Sequence, residues 1–185
     1  MATIFSHPAV PLAVGIALGR GVIPSRLLGF GLLCSILPDV DVLAFKLGIP
    51  YGAMLGHRGF SHSILFAILV AVAFRIGSKV GREHPWTTLL FLSFATISHG
   101  LLDALTNGGL GIGFFAPFSG RRYFFPADWI EVSPIGASFF SARGMVVLKS
   151  ELLAVWLPCA LVAVLGFALR LQARSVRIPE DKPPG

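Results

Sequence analysis

The stretch LPDVDVLAFKLGIPYGAMLGHRGFSHS, residues 37–63, decides how this chain is read. It places Asp39, Asp41, His57 and His62, with Arg58 between the histidines, inside one of the most apolar regions of the sequence. Ionisable groups in such surroundings are costly, so they point by default to a functional site with partners of its own. The rest of the chain says what the surroundings are. Hydrophobic residues make up 55% and charged residues 13%, against roughly 25% charged in soluble domains, and the mean hydropathy is +0.79. A water-facing globular domain is excluded. A span needs about 20 mostly apolar residues, and 185 residues leave room for four or five.

Apolar runs cover 9–19, 27–45, 61–77, 86–105 and 151–169. They predict an all-α, polytopic membrane helical bundle of about five spans, forming one domain over residues 1–172. The turn GRGVIPSR follows the first run, and Pro38 breaks the second, so the PDVD turn is expected to face a polar pocket that satisfies the freed carbonyl. Ser61 is placed to cap the third span. The four glycines of TNGGLGIG stop the fourth. Residues 106–150 are aromatic and Gly-rich without a helical period, which suits an interfacial or re-entrant cover at headgroup level. The basic, Pro-containing tail 173–185 is expected to be disordered. Cys34 and Cys159 lie in apolar runs with no metal-type spacing and read as small hydrophobes, and the amino-terminal residues, without a basic leader, read as mature sequence.

Basic residues set the topology. Arg20, Arg26, Arg75, Lys79, Arg82, Arg170, Arg174, Arg177 and Lys182 fall on one side if the turns at 20–26 and 75–82 and the tail share a face, which the positive-inside rule makes cytoplasmic. The net charge of +6 is then explained by topology and anionic lipid, and no nucleic-acid partner is expected. With this topology His7, Asp39, Asp41, His57, His62, His99 and Asp103 all converge on the outer face. His84 falls on the opposite face and reads as an interfacial histidine.

His99 and Asp103, in HGLLD, are four apart and share a helix face. Alone the pair is compatible with a simple His to Asp hydrogen bond; with the other five it forms a metal-ligand set. Imidazoles and carboxylates without a thiolate suit Zn, Mn or Fe. Seven donors exceed the needs of one tetrahedral zinc, so one or two ions are expected, a dinuclear centre being preferred, with Asp39 or Asp41 ligating and the other orienting a histidine. Arg58 is either a snorkelling cation or a substrate-phosphate ligand. Arg121 and Arg122, basic on the site's own side, fit an anionic substrate or a headgroup contact. Asp128 and Glu131 are spare carboxylates in a solvated loop.

The combination SHPAV, LPDVD, HRGFSHS and HGLLDALTNGG, spanning about residues 6–126, resembles the YdjM-like family of inner-membrane proteins, described as membrane-bound, metal-dependent hydrolases. More distantly, the order of these residues is similar to that of the zinc-dependent phospholipase C and single-strand nuclease superfamily. The resemblance implies a bacterial-type inner-membrane location and a metal cluster of His7, Asp39 or Asp41, His57, His99 and Asp103, with His62 a further ligand or acid. It departs from the soluble superfamily in having no histidine after His99 and no amino-terminal tryptophan ligand, which argues against a three-metal cluster.

The function expected on these grounds is a hydrolase. Metal-activated water attacks a phosphoester, Asp41, His62 and Arg58 take the catalytic parts, and Arg58, Arg121 and Arg122 hold the phosphoryl oxygens. A site at the periplasmic, outer face under an aromatic cover makes a lipid headgroup or lipid-linked phosphate the natural substrate, and membrane lipids the natural partners. The alternatives are a metal-ion transporter or sensor, disfavoured because the polar residues stop near one face, and a non-catalytic scaffold stitched together by His and Asp.

Overall fold

The computed structural model describes residues 1–134 and 136–175. Among them the chain is all-helical, with two isolated β-bridges, Thr106 to Ile130 and Ile112 to Tyr123, and no strand. The helices are α1 (Ala9–Leu18), α2 (Ser25–Cys34), α3 (Leu43–Lys46), α4 (Ile64–Gly77), α5 (Lys79–Glu83), α6 (Pro85–Ala104), α7 (Ala142–Glu151) and α8 (Leu157–Ser175). Residues 173–175 still belong to α8, and the rest of the tail lies outside the described residues.

Three stretches are long and apolar enough to cross a membrane: Ser25–Lys46, Pro85–Ala104 and Ala142–Ala173. The first is continuous because a 3-10 turn, Leu37–Val42, joins α2 to α3 and absorbs Pro38. The third runs through a single π-turn, Leu152–Trp156, between α7 and α8. It starts nine residues earlier than the apolar run suggests, because Arg143, Lys149 and Glu151 mask the beginning of the helix. By contrast α1 and α4 have 10 and 14 residues, about 15 and 21 Å at 1.5 Å per residue. Both are shorter than the roughly 30 Å hydrocarbon core, so helix length accounts for three of the five expected spans.

Local chemistry sets the boundaries. The cap of α4 is Ser63, whose hydroxyl accepts from Phe66 N, and not Ser61, which is committed elsewhere. Pro85 opens α6 in the first turn, where its missing N–H has no intrahelical partner to lose. Helix α6 is the axis of the molecule: α4 and α2 pack on it, while α1 pairs with α8. Ile23, Leu27, Cys34, Ala71, Val80, Phe91 and Leu92 form the core on the amino-terminal half of α6. Ala2, Ala9, Leu102, Ile130 and Val155 form a second core beside its carboxyl end. On α8, Leu161, Val164, Leu165 and Leu169 remain exposed, the face such a helix presents to hydrocarbon.

The close approach of α2 to α6 depends on Gly31, where an added Cβ would lie 2.4 Å from Cε1 of the buried Phe91 ring. Overpacking a filled core costs about 1–3 kcal/mol, more than the roughly 1 kcal/mol of helix propensity that alanine gains over glycine. Gly31→Ala therefore lowers the Tm of the detergent-solubilised protein; an unchanged or raised Tm would show that the α2 and α6 contact yields freely.

Candidate metal centre

The polar residues gather where α6 ends. His99 and Asp103, one turn apart on α6, are both fully buried. The 3-10 turn after α2 brings Asp39 up to them, and the turn before α4 brings His62. Single ligand atoms of Asp39, His62, His99 and Asp103 lie within 4.8 Å of one another, and a second such group joins Asp41, His57 and His62. His7, preceding α1, stacks its ring on His99 with centroids 3.7 Å apart and points Nε2 at Asp103 Oδ1 from 3.8 Å.

Hydrogen bonds fix the tautomers. Ser35 O lies 2.8 Å from His99 Nδ1; a carbonyl only accepts, so Nδ1 carries the proton and Nε2 keeps its lone pair. Ser61 Oγ donates to Asp41 Oδ2 at 2.5 Å and faces His62 Nδ1 at 3.0 Å, while Asp41 Oδ2 is 3.1 Å from the same nitrogen. His62 thus donates from Nδ1 as well. The two Nε2 atoms meet at 3.0 Å. Two lone pairs at that distance repel unless a proton or a cation lies between them. Asp39 Oδ1 is 3.3 Å from His99 Nε2 and 3.9 Å from His62 Nε2, and Asp103 Oδ2 is 4.0 and 3.8 Å from the same atoms. Both oxygens of Asp39, Oδ2 of Asp103 and both nitrogens of His7 are buried without a hydrogen bond.

His7 and His62 lie outside the three long apolar helices. Burial pushes His7 down to about 3, with the neighbouring His99 adding to it, and burial likewise holds His62 below its ordinary value. Both are neutral at pH 7 and able to ligate. This buried donor set, with orphaned oxygens of Asp39 and Asp103 beside the Nε2 atoms of His62 and His99, could hold a metal ion.

Asp41 has a different place from Asp39. Its oxygens take His57 Nδ1 at 2.5 Å, the Ser61 hydroxyl and the backbone N of Arg58 at 3.1 Å, so it is filled with donors that orient the histidines. Two of the three arginines expected at a phosphate are engaged by protein acceptors. Arg58 is fully buried at φ 63°, gives Nη1 to the carbonyls of Gly108 and Leu110 and Nη2 to Thr106 Oγ1, and sets Nε 3.3 Å from Asp103 Oδ2. Arg122 donates Nη2 to Ala53 O at 2.9 Å and Nη1 to His57 O at 3.0 Å. Arg121 stands exposed outside the cluster. Asp128 is exposed, and Glu131 pairs with Arg143 at 2.6 Å on the surface, so neither spare carboxylate reaches the site. His84 is exposed at the opposite end of α6.

Two contributors escaped the sequence reading. Ala2 N donates to Asp103 Oδ1 at 2.7 Å, and a backbone amide has no signature in sequence. Glu151, fully buried, accepts from Thr3 N, from Thr3 Oγ1 at 2.6 Å and from Ser6 Oγ at 2.7 Å, tying down the segment that carries His7. A charge at the edge of an apolar run was its signal.

A helical membrane protein with a buried histidine and aspartate cluster at the end of its central helix is the class that this fold and site define. The chain belongs to the YdjM inner membrane protein family, whose model matches residues 1–175. It is 45% identical over 160 residues to the inner membrane protein YbcI of Escherichia coli (strain K12), covering 85% of this chain and 92% of that protein. No solved structure matches it.

Glu151→Ala would strand the hydroxyl and amide donors of Thr3 and Ser6, at about 1–3 kcal/mol for each buried group left unpaired. The expected outcome is faster amide hydrogen exchange in residues 2–7 than in α6, read by mass spectrometry. Unaltered protection there would separate Glu151 from the placement of His7.

Proposed function

We propose that this inner membrane protein is a metal-dependent hydrolase acting on a phosphoester at the outer membrane face. The observation that carries the reading is the meeting of the His62 and His99 Nε2 lone pairs at 3.0 Å, flanked by Asp39 and Asp103. Charge supports it. Asp39, Asp41 and Asp103 gather three carboxylates around the guanidinium of Arg58, an acidic setting that favours a cation.

The residues favour one ion over two. His62 Nδ1 is taken up by Asp41 and Ser61, so only Nε2 is free to ligate. Asp39, His62, His99 and Asp103 are the ligands, with His7 beside them, and Asp41 and His57 form the layer that orients them. A divalent ion held there supplies Lewis acidity and lowers the pKa of water toward about 7. Of the protein groups, Asp39 is the best placed to accept a proton, at Oδ2, because Oδ1 faces the other ligands and Oδ2 has no donor. His99 is held in a ligating tautomer by Ser35, and His62 by Asp41 and Ser61. Arg58 acts through Asp103 and the loop it supports, as a positioning residue. A lipid headgroup or lipid-linked phosphate is the substrate that the membrane setting favours.

The test is elemental analysis of purified protein beside His99→Ala and Asp103→Ala, followed by phosphoester turnover. Stoichiometric Zn, Mn or Fe in the wild type, lost in both variants that still melt cooperatively, is expected. A well-folded wild type that takes up none of the three on addition would overturn the reading. A conservative Asp41→Asn change should keep the stoichiometry at saturating metal but weaken affinity by about 10–100-fold, the usual effect of losing an orienting partner. Complete loss of binding would instead make Asp41 a ligand.

A further inference from the structure

Beside the cluster lies an apolar cavity of about 320 Å³, within the range of roughly 300–1,000 Å³ typical of ligand pockets. Phe5, Val42, Pro134, Phe139 and Phe140 contribute to its wall, and among the described residues Asp39 is the one ionisable side chain that lines it. Asp39 is 7% exposed, with both carboxylate oxygens buried and unpaired. Ala2, another lining residue, donates its amide to Asp103. The cavity therefore abuts the ligand set at two residues. At the other side its rim is apolar and open, with Phe5 61% and Phe140 87% exposed.

We propose that this cavity is the binding site for one acyl chain of a membrane glycerophospholipid, whose phosphate then lies at Asp39 and the metal centre. The inference rests on the function proposed above and names the substrate class for the same site. Three observations select the occupant. The walls offer aliphatic and aromatic surface, so the part that enters is hydrocarbon, driven by about 25 cal/mol per Å² of apolar area buried. In a protein of the inner membrane, the medium against such a rim is lipid, and an acyl chain passes from bilayer to cavity without crossing water. At the inner end a carboxylate beside imidazoles gives no complement to a further methylene, whereas a phosphate is accommodated there with a cation held by the neighbouring ligands.

The experiment uses full-length protein in lipid nanodiscs doped with phosphatidylglycerol bearing a diazirine near the end of one acyl chain. After irradiation and digestion, adducts are mapped by mass spectrometry, with those on the exposed face of α8 as the measure of contact with bulk lipid. Adducts on residues 1–5, 133–134 and 136–140 should exceed those on α8 several-fold. Val42→Trp, which fills the cavity, should abolish the excess and leave the α8 adducts unchanged; Phe140→Ala, at the exposed rim, should reduce it without threatening the fold. Metal content is measured on every sample, so the two readings fail separately. An excess that survives Val42→Trp, or adducts spread evenly over all lipid-facing helices, overturns the acyl-chain site whatever the metal content. A cavity-specific excess in protein that binds no metal removes the hydrolase reading and, with it, the placement of the phosphate.

Discussion

A carboxylate shut away from water must be surrounded by donors, and Asp103, fully buried at the end of α6, imposes this on much of the chain. Its Oδ1 is reached by the amide of Ala2 and faced by His7, and its Oδ2 is faced by Arg58, His62 and His99. Those residues come from the amino-terminal segment, the turn before α4 and α6 itself. The helices cannot be shifted much along α6 without stripping a partner from this group, because a buried ion left unpaired costs several kcal/mol. The fold is thus organised by a polar centre in a protein whose apolar packing alone would allow helices to slide.

Around that centre the donors fall into two layers. Asp39, His62, His99 and Asp103 face one another, and their free lone pairs and oxygens have few protein partners. Behind them Ser35 O, Ser61 and Asp41 are satisfied by hydrogen bonds and aim the histidines of the first group, while Glu151 holds the segment that carries His7. The asymmetry between Asp39 and Asp41 follows from it. Two residues apart on one 3-10 turn, they point to different neighbours, so one is saturated and the other is not.

Much of this was legible in the sequence. The His99 and Asp103 pair was readable because a helix repeats every 3.6 residues, and the convergence of seven polar residues because charge is rare in apolar runs. The roles within the set were not. Whether Asp39 or Asp41 is saturated depends on Ser61 and on a backbone amide, and neither carries a signal by spacing. Of the five expected spans helix length accounts for three, because hydropathy registers apolar residues and not the breaks between them: α1 ends at Leu18 and α4 begins only at Ile64, after a 3-10 turn. In the same way α7 was hidden by Arg143 and Lys149, which stay exposed, and by Glu151, which is buried.

The arginines show most plainly how context overrides residue type. In an inner membrane protein a cluster of guanidinium groups suggests an anionic ligand. Here the segments between α3 and α4 and after α6 are mainly irregular, and outside helices their carbonyls lack the partners that an apolar setting demands. Arg58 and Arg122 meet that demand. Gly108, Leu110, His57, Gly111, Tyr51 and Ala53 all have carbonyls that accept from one of the two. At Gly109, φ is +83° and an added Cβ would meet Arg58 Nη1 at 3.1 Å and the Tyr51 hydroxyl at 2.7 Å, so the loop closes on the guanidinium only because no side chain intervenes. A planar group with five donors satisfies several carbonyls from one position, as lysine cannot. Their positive charge then serves the buried aspartates, and the irregular backbone that brings His57 and His62 to the centre is held by the residues first suspected of holding the substrate.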